Sequence, residues 1–159
     1  MKTILNTILI AAAAIFITQT LSAQEFRNVK EYNLQNQVGL KGYDPVSYFS
    51  EGGNKALIGV NQYKLNYMGV IYFFANAKNL DLFVKEANKY EPTYGGYCAY
   101  AMASGSKVDI DPLTYTINGN RLHFFVSQRA KRNFDADISG HELRADGFWK
   151  QISGEEPRK

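Results

Sequence analysis

The chain predicts an α+β domain, antiparallel β-hairpins packed against several α-helices, on three observations. Tyr63 to Tyr67 alternates, turns at Met68-Gly69 and continues as the apolar and aromatic run Val70 to Phe74, the pattern of a hairpin. Leu80, Phe83, Val84 and Ala87 then fall at i, i+3, i+4 and i+7, the apolar stripe of a helix that Asn76 can cap. The plan then recurs. Thr114 to Ile117, the turn Asn118-Gly119-Asn120 and Arg121 to Val126 make a second hairpin, and Ser127 can cap a helix carrying Ala130 and Phe134. At an offset of 51, Phe73 and Phe124, Phe74 and Phe125, Asn76 and Ser127, and Phe83 and Phe134 coincide, which predicts two repeated hairpin-helix units.

The remaining elements follow in order. Residues 1–23 read as a cleavable signal peptide: Lys2, an apolar run from Ile8 to Ile17, Gln19 and Thr20, then small residues ending at Ala23. That run is shorter than the roughly 20 apolar residues a membrane span needs, so a soluble periplasmic or secreted protein is expected. Cleavage after Ala23 leaves 136 of the 159 residues and removes one positive charge from a formal +3. Residues 24–40 form a polar leader, and the domain occupies 41–152. Asp44-Pro45 reads as a helix start, the carboxylate capping free N–H groups ahead of Val46, Tyr48 and Phe49. Tyr94 to Ala103 reads as a short helix rich in small residues, reached through Gly95 and Gly96. A last helix starts at Ser139 with Glu142 in capping-box position and buries Ala145, Phe148, Trp149 and Ile152, and 153–159 is a loose tail.

Charge and composition narrow the function. The small net charge, with acids interleaved among bases, gives no nucleic-acid surface, and Arg129, Lys131 and Arg132 read as the solvated face of a helix. Nucleophile elbow, HExxH, phosphate loop and dinucleotide fingerprint are all absent, so a binding protein is expected rather than an enzyme. Cys98 is the only cysteine, which rules out a disulfide within the chain and leaves an oxidised thiol no resolving partner. With Met102 four residues on, Cys98 offers two soft donors on one helical face, and His123 or His141 can complete a three-coordinate copper site. Against this stands a buried structural role for Cys98, and a core or face role for His123, which matches Tyr72 of the first unit. Tyr94, Tyr97 and Tyr100 are candidates for the wall of an aromatic pocket that takes a flat small molecule.

Gly42-Tyr43-Asp44-Pro45-Val46, the Tyr67-to-Phe74 hairpin, Phe83 with Lys89-Tyr90, and above all Tyr94-Gly95-Gly96-Tyr97-Cys98-Ala99-Tyr100-Ala101 resemble the exported, stand-alone branch of the YHS-domain family, over about 40 to 152. The resemblance implies binding of heavy metals, notably copper. In the metal-binding modules of that family the ligands follow the Asp-Pro-Val and the aromatic strand, at positions occupied here by Ser47, Ala75 and Asn79, none a soft donor. Cys98, in its Gly-Gly-Tyr-Cys setting, is the residue that carries over. The expected function is therefore binding of a heavy metal through Cys98, Met102 and His123. The alternative is an aromatic-lined module for a small molecule or partner, with Cys98 structural.

Overall fold

The computed structural model of the protein describes residues 27–158, so the predicted signal peptide and its cleavage point lie outside the described residues. Within that range the chain forms two separate antiparallel hairpins and five α-helices, the α+β composition expected. The first hairpin joins β1 (Val60–Tyr67) to β2 (Val70–Phe74), and the second joins β3 (Asp111–Asn118) to β4 (Arg121–Phe125). Among the described residues no helix is long and apolar enough to cross a membrane.

The two hairpins share one register. Tyr67 faces Val70, Lys64 faces Phe73 and, past a bulge, Val60 faces Phe74; the counterparts are Asn118 with Arg121, Tyr115 with Phe124 and Asp111 with Phe125. Each bulge falls at the same place in its unit. An isolated two-stranded ribbon is marginal in water, so each hairpin needs further cover. The leader supplies part of it, Val38 bridging parallel to Ile71, and Pro92 bridges parallel to Leu122 in the second unit. Helices supply the rest: α1 (Ala77–Lys85) follows the first hairpin and α4 (Gln128–Asp135) the second. Asn76 caps α1 by accepting from the Asn79 N–H at 2.9 Å, and Ser127 caps α4 by accepting from the Ala130 N–H at 3.3 Å. Both satisfy an N–H that the helix itself leaves free.

Each unit is centred on one wholly buried phenylalanine. Phe83 lies 5.5 Å from the Tyr67 ring, 5.0 Å from Tyr72 and 5.2 Å from Phe74. Phe134 lies 5.0 Å from His123, 5.2 Å from Phe125 and 5.5 Å from His141. The equivalence reaches beyond the offset seen in the sequence. Leu40, Lys41 and Gly42 are left-handed at φ 52°, 54° and 85°, and Tyr94, Gly95 and Gly96 repeat this at 55°, 59° and 84°. The next turn of chain matches too, the Asp44 N–H donating to Leu57 O and the Cys98 N–H to Val108 O, each at 2.9 Å.

Four local expectations change. The segment after Asp44 is a run of tight turns and a 3-10 turn at Ser50–Gly52, not an α-helix, because Asp44 is drawn to a second partner set. One carboxylate oxygen accepts from the Val46 and Ser47 N–H groups, and the other accepts from the Ala75 N–H and the Asn79 amide. The helix after Asn76 breaks at Glu86, in non-helical backbone, and resumes as α2 (Ala87–Tyr90); Val84 faces solvent while Phe83 and Ala87 are buried. The last helix, α5 (Ile138–Ser153), is capped by Asp137, which accepts from the Gly140 N–H at 3.0 Å. Glu142 is thereby released from a capping box and turns to β4. Along α5, Ala145 and Trp149 are buried, whereas Phe148 is 37% exposed and lies over Gly105.

The expected loose tail is tied down as far as Arg158, and by charge. Arg27, three residues past the predicted new N-terminus, forks onto the Glu91 carboxylate at 2.8 and 2.5 Å, and Arg158 reaches the same carboxylate at 3.1 Å. Tyr72 donates to it from β2 at 2.9 Å. Glu155 accepts from Tyr32 at 2.6 Å and from the Asn28 N–H. The Arg27 guanidinium lies over the Tyr32 and Tyr67 rings at 5.4 and 5.1 Å. Burial disfavours its charge, but the paired Glu91 prevails and holds its pKa above the usual arginine range.

Candidate functional site

The segment singled out for its chemistry, Tyr94 to Ala103, lies against β4, where Cys98 bridges parallel to Phe124. A 3-10 turn at Thr93–Gly96 leads into Cys98, which is the N-cap of the one-turn α3 (Ala99–Met102). Gly95 has two reasons to be glycine: its φ of 59° is left-handed, and a Cβ there would stand 2.7 Å from the Trp149 ring. Cys98 bridges Phe124 of β4, and the Met102 N–H donates to Cys98 O at 2.9 Å, which places the two soft donors one turn apart. Both are wholly buried.

His123 is buried as well, and both ring nitrogens are engaged. Nδ1 lies 2.9 Å from Thr93 Oγ1, and Nε2 lies 2.7 Å from Glu142 Oε1. A neutral ring donates Nε2–H to the carboxylate and offers Nδ1 to the Thr93 hydroxyl, whose single proton is shared with Leu122 O at 3.1 Å. Burial pushes His123 below the usual histidine range against the pull of Glu142, which favours that neutral form. For Glu142, burial acts upward, but hydrogen bonds from His123 and Asn118 and the charge of Arg121 hold its carboxyl below the usual range. Binding of a metal ion by His123 therefore has to displace Thr93 or Glu142.

Around this pair lies a network that the sequence reading did not single out. Arg121 Nη2 donates to Asp146 Oδ1 at 2.6 Å and to the Tyr94 hydroxyl at 3.1 Å, and Arg121 Nη1 stands 3.5 Å from Glu142 Oε2. The Tyr94 hydroxyl donates to Asp146 at 2.9 Å, and burial raises its pKa above the usual phenol range. The repeat held a signal for it. Glu142 stands 51 residues after Glu91, and each carboxylate meets the residue at one strand position, Tyr72 in β2 and His123 in β4.

The three tyrosines do not line one wall. Tyr94 is buried in the network just described; the Tyr97 hydroxyl reaches Tyr32 O at 3.4 Å beneath Lys107; Tyr100 lies 5.2 Å from the His141 ring. Rings connect Tyr94 to Tyr100 indirectly, through His123, Phe134 and His141. A shallow depression lies elsewhere, on the outer face of α5 between Leu143, Arg144, Gly147, Phe148 and Gln151. Among the described residues no group of three or more His, Cys, Asp or Glu side chains is arranged to hold a metal ion.

Ser47, Ala75 and Asn79, far apart in the sequence, converge on Asp44. The Ala75 N–H donates to its Oδ2 at 2.9 Å, the Asn79 amide to the same oxygen at 2.6 Å, and the Ser47 hydroxyl to its backbone O at 2.8 Å. Asp44 occupies in the first unit the place that Cys98 occupies in the second. Comparison with models of protein families, with curated proteins and with solved structures gives no match.

Proposed function

We propose that the chain is an exported, non-enzymatic YHS-like protein that binds a heavy metal, copper as Cu(I), through Cys98 and Met102. The observation that carries this reading is the placement of Cys98 and Met102 one turn apart, at the N-cap and the end of α3, both withdrawn from water. Thiolate and thioether are the donor pair that prefers Cu(I) over harder ions. The convergence of Ser47, Ala75 and Asn79 supports the family resemblance. None of the three side chains is a soft donor, so on this reading the metal falls to the second unit. His123 joins as a third ligand only by leaving Thr93 or Glu142.

Titration of reduced protein with Cu(I) tests the reading. Uptake is expected at about micromolar concentration or below, and Cys98→Ser is expected to abolish it, because serine is a poor donor for a soft metal. Wild-type protein that stays metal-free under these conditions overturns the proposal. A second reading, an aromatic-lined binding module with a structural cysteine, is favoured by the complete burial of Cys98 and by the engagement of both His123 nitrogens. On that reading Cys98→Ser places a hydroxyl in an apolar site and lowers stability by about 1–3 kcal/mol.

Export has its own test. The mature N-terminus of protein from the native host is expected within two residues of Gln24, and retention of Met1 on the major species would falsify it.

A further inference from the structure

The segment from Arg27 to Leu34 is fixed by contacts with distant parts of the chain and joined to the rest by one tight turn. Arg27 forks onto Glu91 and lies over the Tyr67 ring of β1. Tyr32 donates to Glu155 at 2.6 Å and packs edge-on against Trp149 at 5.7 Å. The Asn33 N–H donates to Gly95 O at 2.9 Å, and its amide to Gly96 O at 3.1 Å. The chain then reverses: Gln35 and Val38 exchange backbone hydrogen bonds at 3.0 and 2.9 Å across Asn36 and Gln37. Both central residues are exposed and left-handed, at φ 52° and 68°. A two-residue hairpin turn of this kind favours asparagine then glycine; glutamine stands in the second place, where glycine would avoid the clash of Cβ with backbone. Past the turn the chain is anchored again, the Ile71 N–H donating to Gln37 O at 2.8 Å and Val38 bridging Ile71. Backbone strain therefore falls on the link between two anchored pieces.

We infer that Arg27–Leu34 is an exchangeable strap whose partner is a second copy of this chain: the turn at Asn36 and Gln37 opens, and Arg27 of each copy docks on the partner's Glu91. The contacts that Arg27, Tyr32 and Asn33 make beyond the turn re-form between copies with the same chemistry. What differs is the turn. Opened, Asn36 and Gln37 take extended backbone, which either residue adopts without a clash, and water replaces the two hydrogen bonds of an exposed turn. Against this stands the advantage of a docking strap that belongs to the same chain, which a short link sets at an effective concentration of about millimolar. Exchange of an identical element is a low-cost route to a dimer, and a short hinge under strain invites it. The dimer therefore forms when the chain folds at concentrations near that value. Once formed, it separates slowly, because each strap must first leave a buried carboxylate. The exchange does not depend on the function proposed above.

Refolding the purified protein from urea at about 1 μM and at about 1 mM, followed by separation by size, tests the exchange. Reducing conditions keep Cys98 from linking two copies. Monomer is expected from the dilute sample and a dimer fraction from the concentrated one. Gln37→Gly, which takes the left-handed backbone freely, is expected to lower that fraction several-fold. Gln37→Pro, with φ fixed at about −65°, cannot enter the turn and is expected to give dimer even at about 1 μM. In dimers refolded from a mixture of isotope-labelled and unlabelled copies, magnetic resonance contacts between the Arg27 and Tyr67 side chains are expected between copies. Monomer at both concentrations overturns the exchange. So does a dimer whose Arg27 and Tyr67 contacts stay within each copy, or one that Gln37→Gly leaves undiminished. The wild-type and Gln37→Gly measurements decide this even if Gln37→Pro does not fold.

Discussion

Replacing Phe83 or Phe134 with alanine is expected to cost about 3–5 kcal/mol each, read as a shift in the urea midpoint at unchanged slope. Each ring is wholly buried and touches three other rings, Tyr67, Tyr72 and Phe74 in one unit, His123, Phe125 and His141 in the other. Truncation removes the apolar transfer energy and leaves a cavity between a hairpin and its helix, which close packing cannot refill without moving both. The comparison matters more than either value. If the units are repeats of one design, the two losses should agree to within about 2 kcal/mol, the spread seen for one kind of truncation in different surroundings. A loss at Phe134 below about half that at Phe83 would leave the repeat as a likeness of backbone only.

Glu91→Gln is expected to destabilise the protein by about 3–5 kcal/mol, although it adds no bulk and keeps one acceptor oxygen. Glu91 is buried and faces two guanidinium groups, Arg27 and Arg158, whose side chains are 4% and 9% exposed. Removing its charge leaves the buried Arg27 guanidinium, which forks onto Glu91, facing a neutral amide. Burying an unpaired charge costs more than the pair itself contributes. Pairing Arg27→Met with Glu91→Gln is expected to recover part of the loss, because the buried Arg27 charge is removed together with its partner. Denaturant melts of the two variants check this, and a loss below about 1 kcal/mol in Glu91→Gln would mean that water already reaches the pair.

The sequence determined the elements whose cause is local. Both hairpins follow from alternation and a glycine-containing turn, and both caps from an Asn or Ser ahead of an apolar stripe. The short helix after two glycines was legible because few residues besides glycine hold a left-handed turn such as that at Gly95 and Gly96. What went unread was set by distant charge. Glu142 looked like a capping box because Ser139 stands three residues before it, but Asp137 takes the cap and His123 takes the carboxylate. The 153–159 tail looked loose because it is polar, and nothing local reveals that Glu155 meets Tyr32 or that Arg158 meets Glu91. At the candidate site, sequence alone supplied the candidate donors Cys98, Met102 and His123 and the tyrosines proposed beside them. Only the tertiary structure decided that His123 is committed to Thr93 and Glu142, and that Tyr94, Tyr97 and Tyr100 point to three different neighbours. The physical reason is range: periodicity and capping act over one or two turns of chain, whereas a buried charge must find its partner wherever the fold brings one within hydrogen-bonding distance.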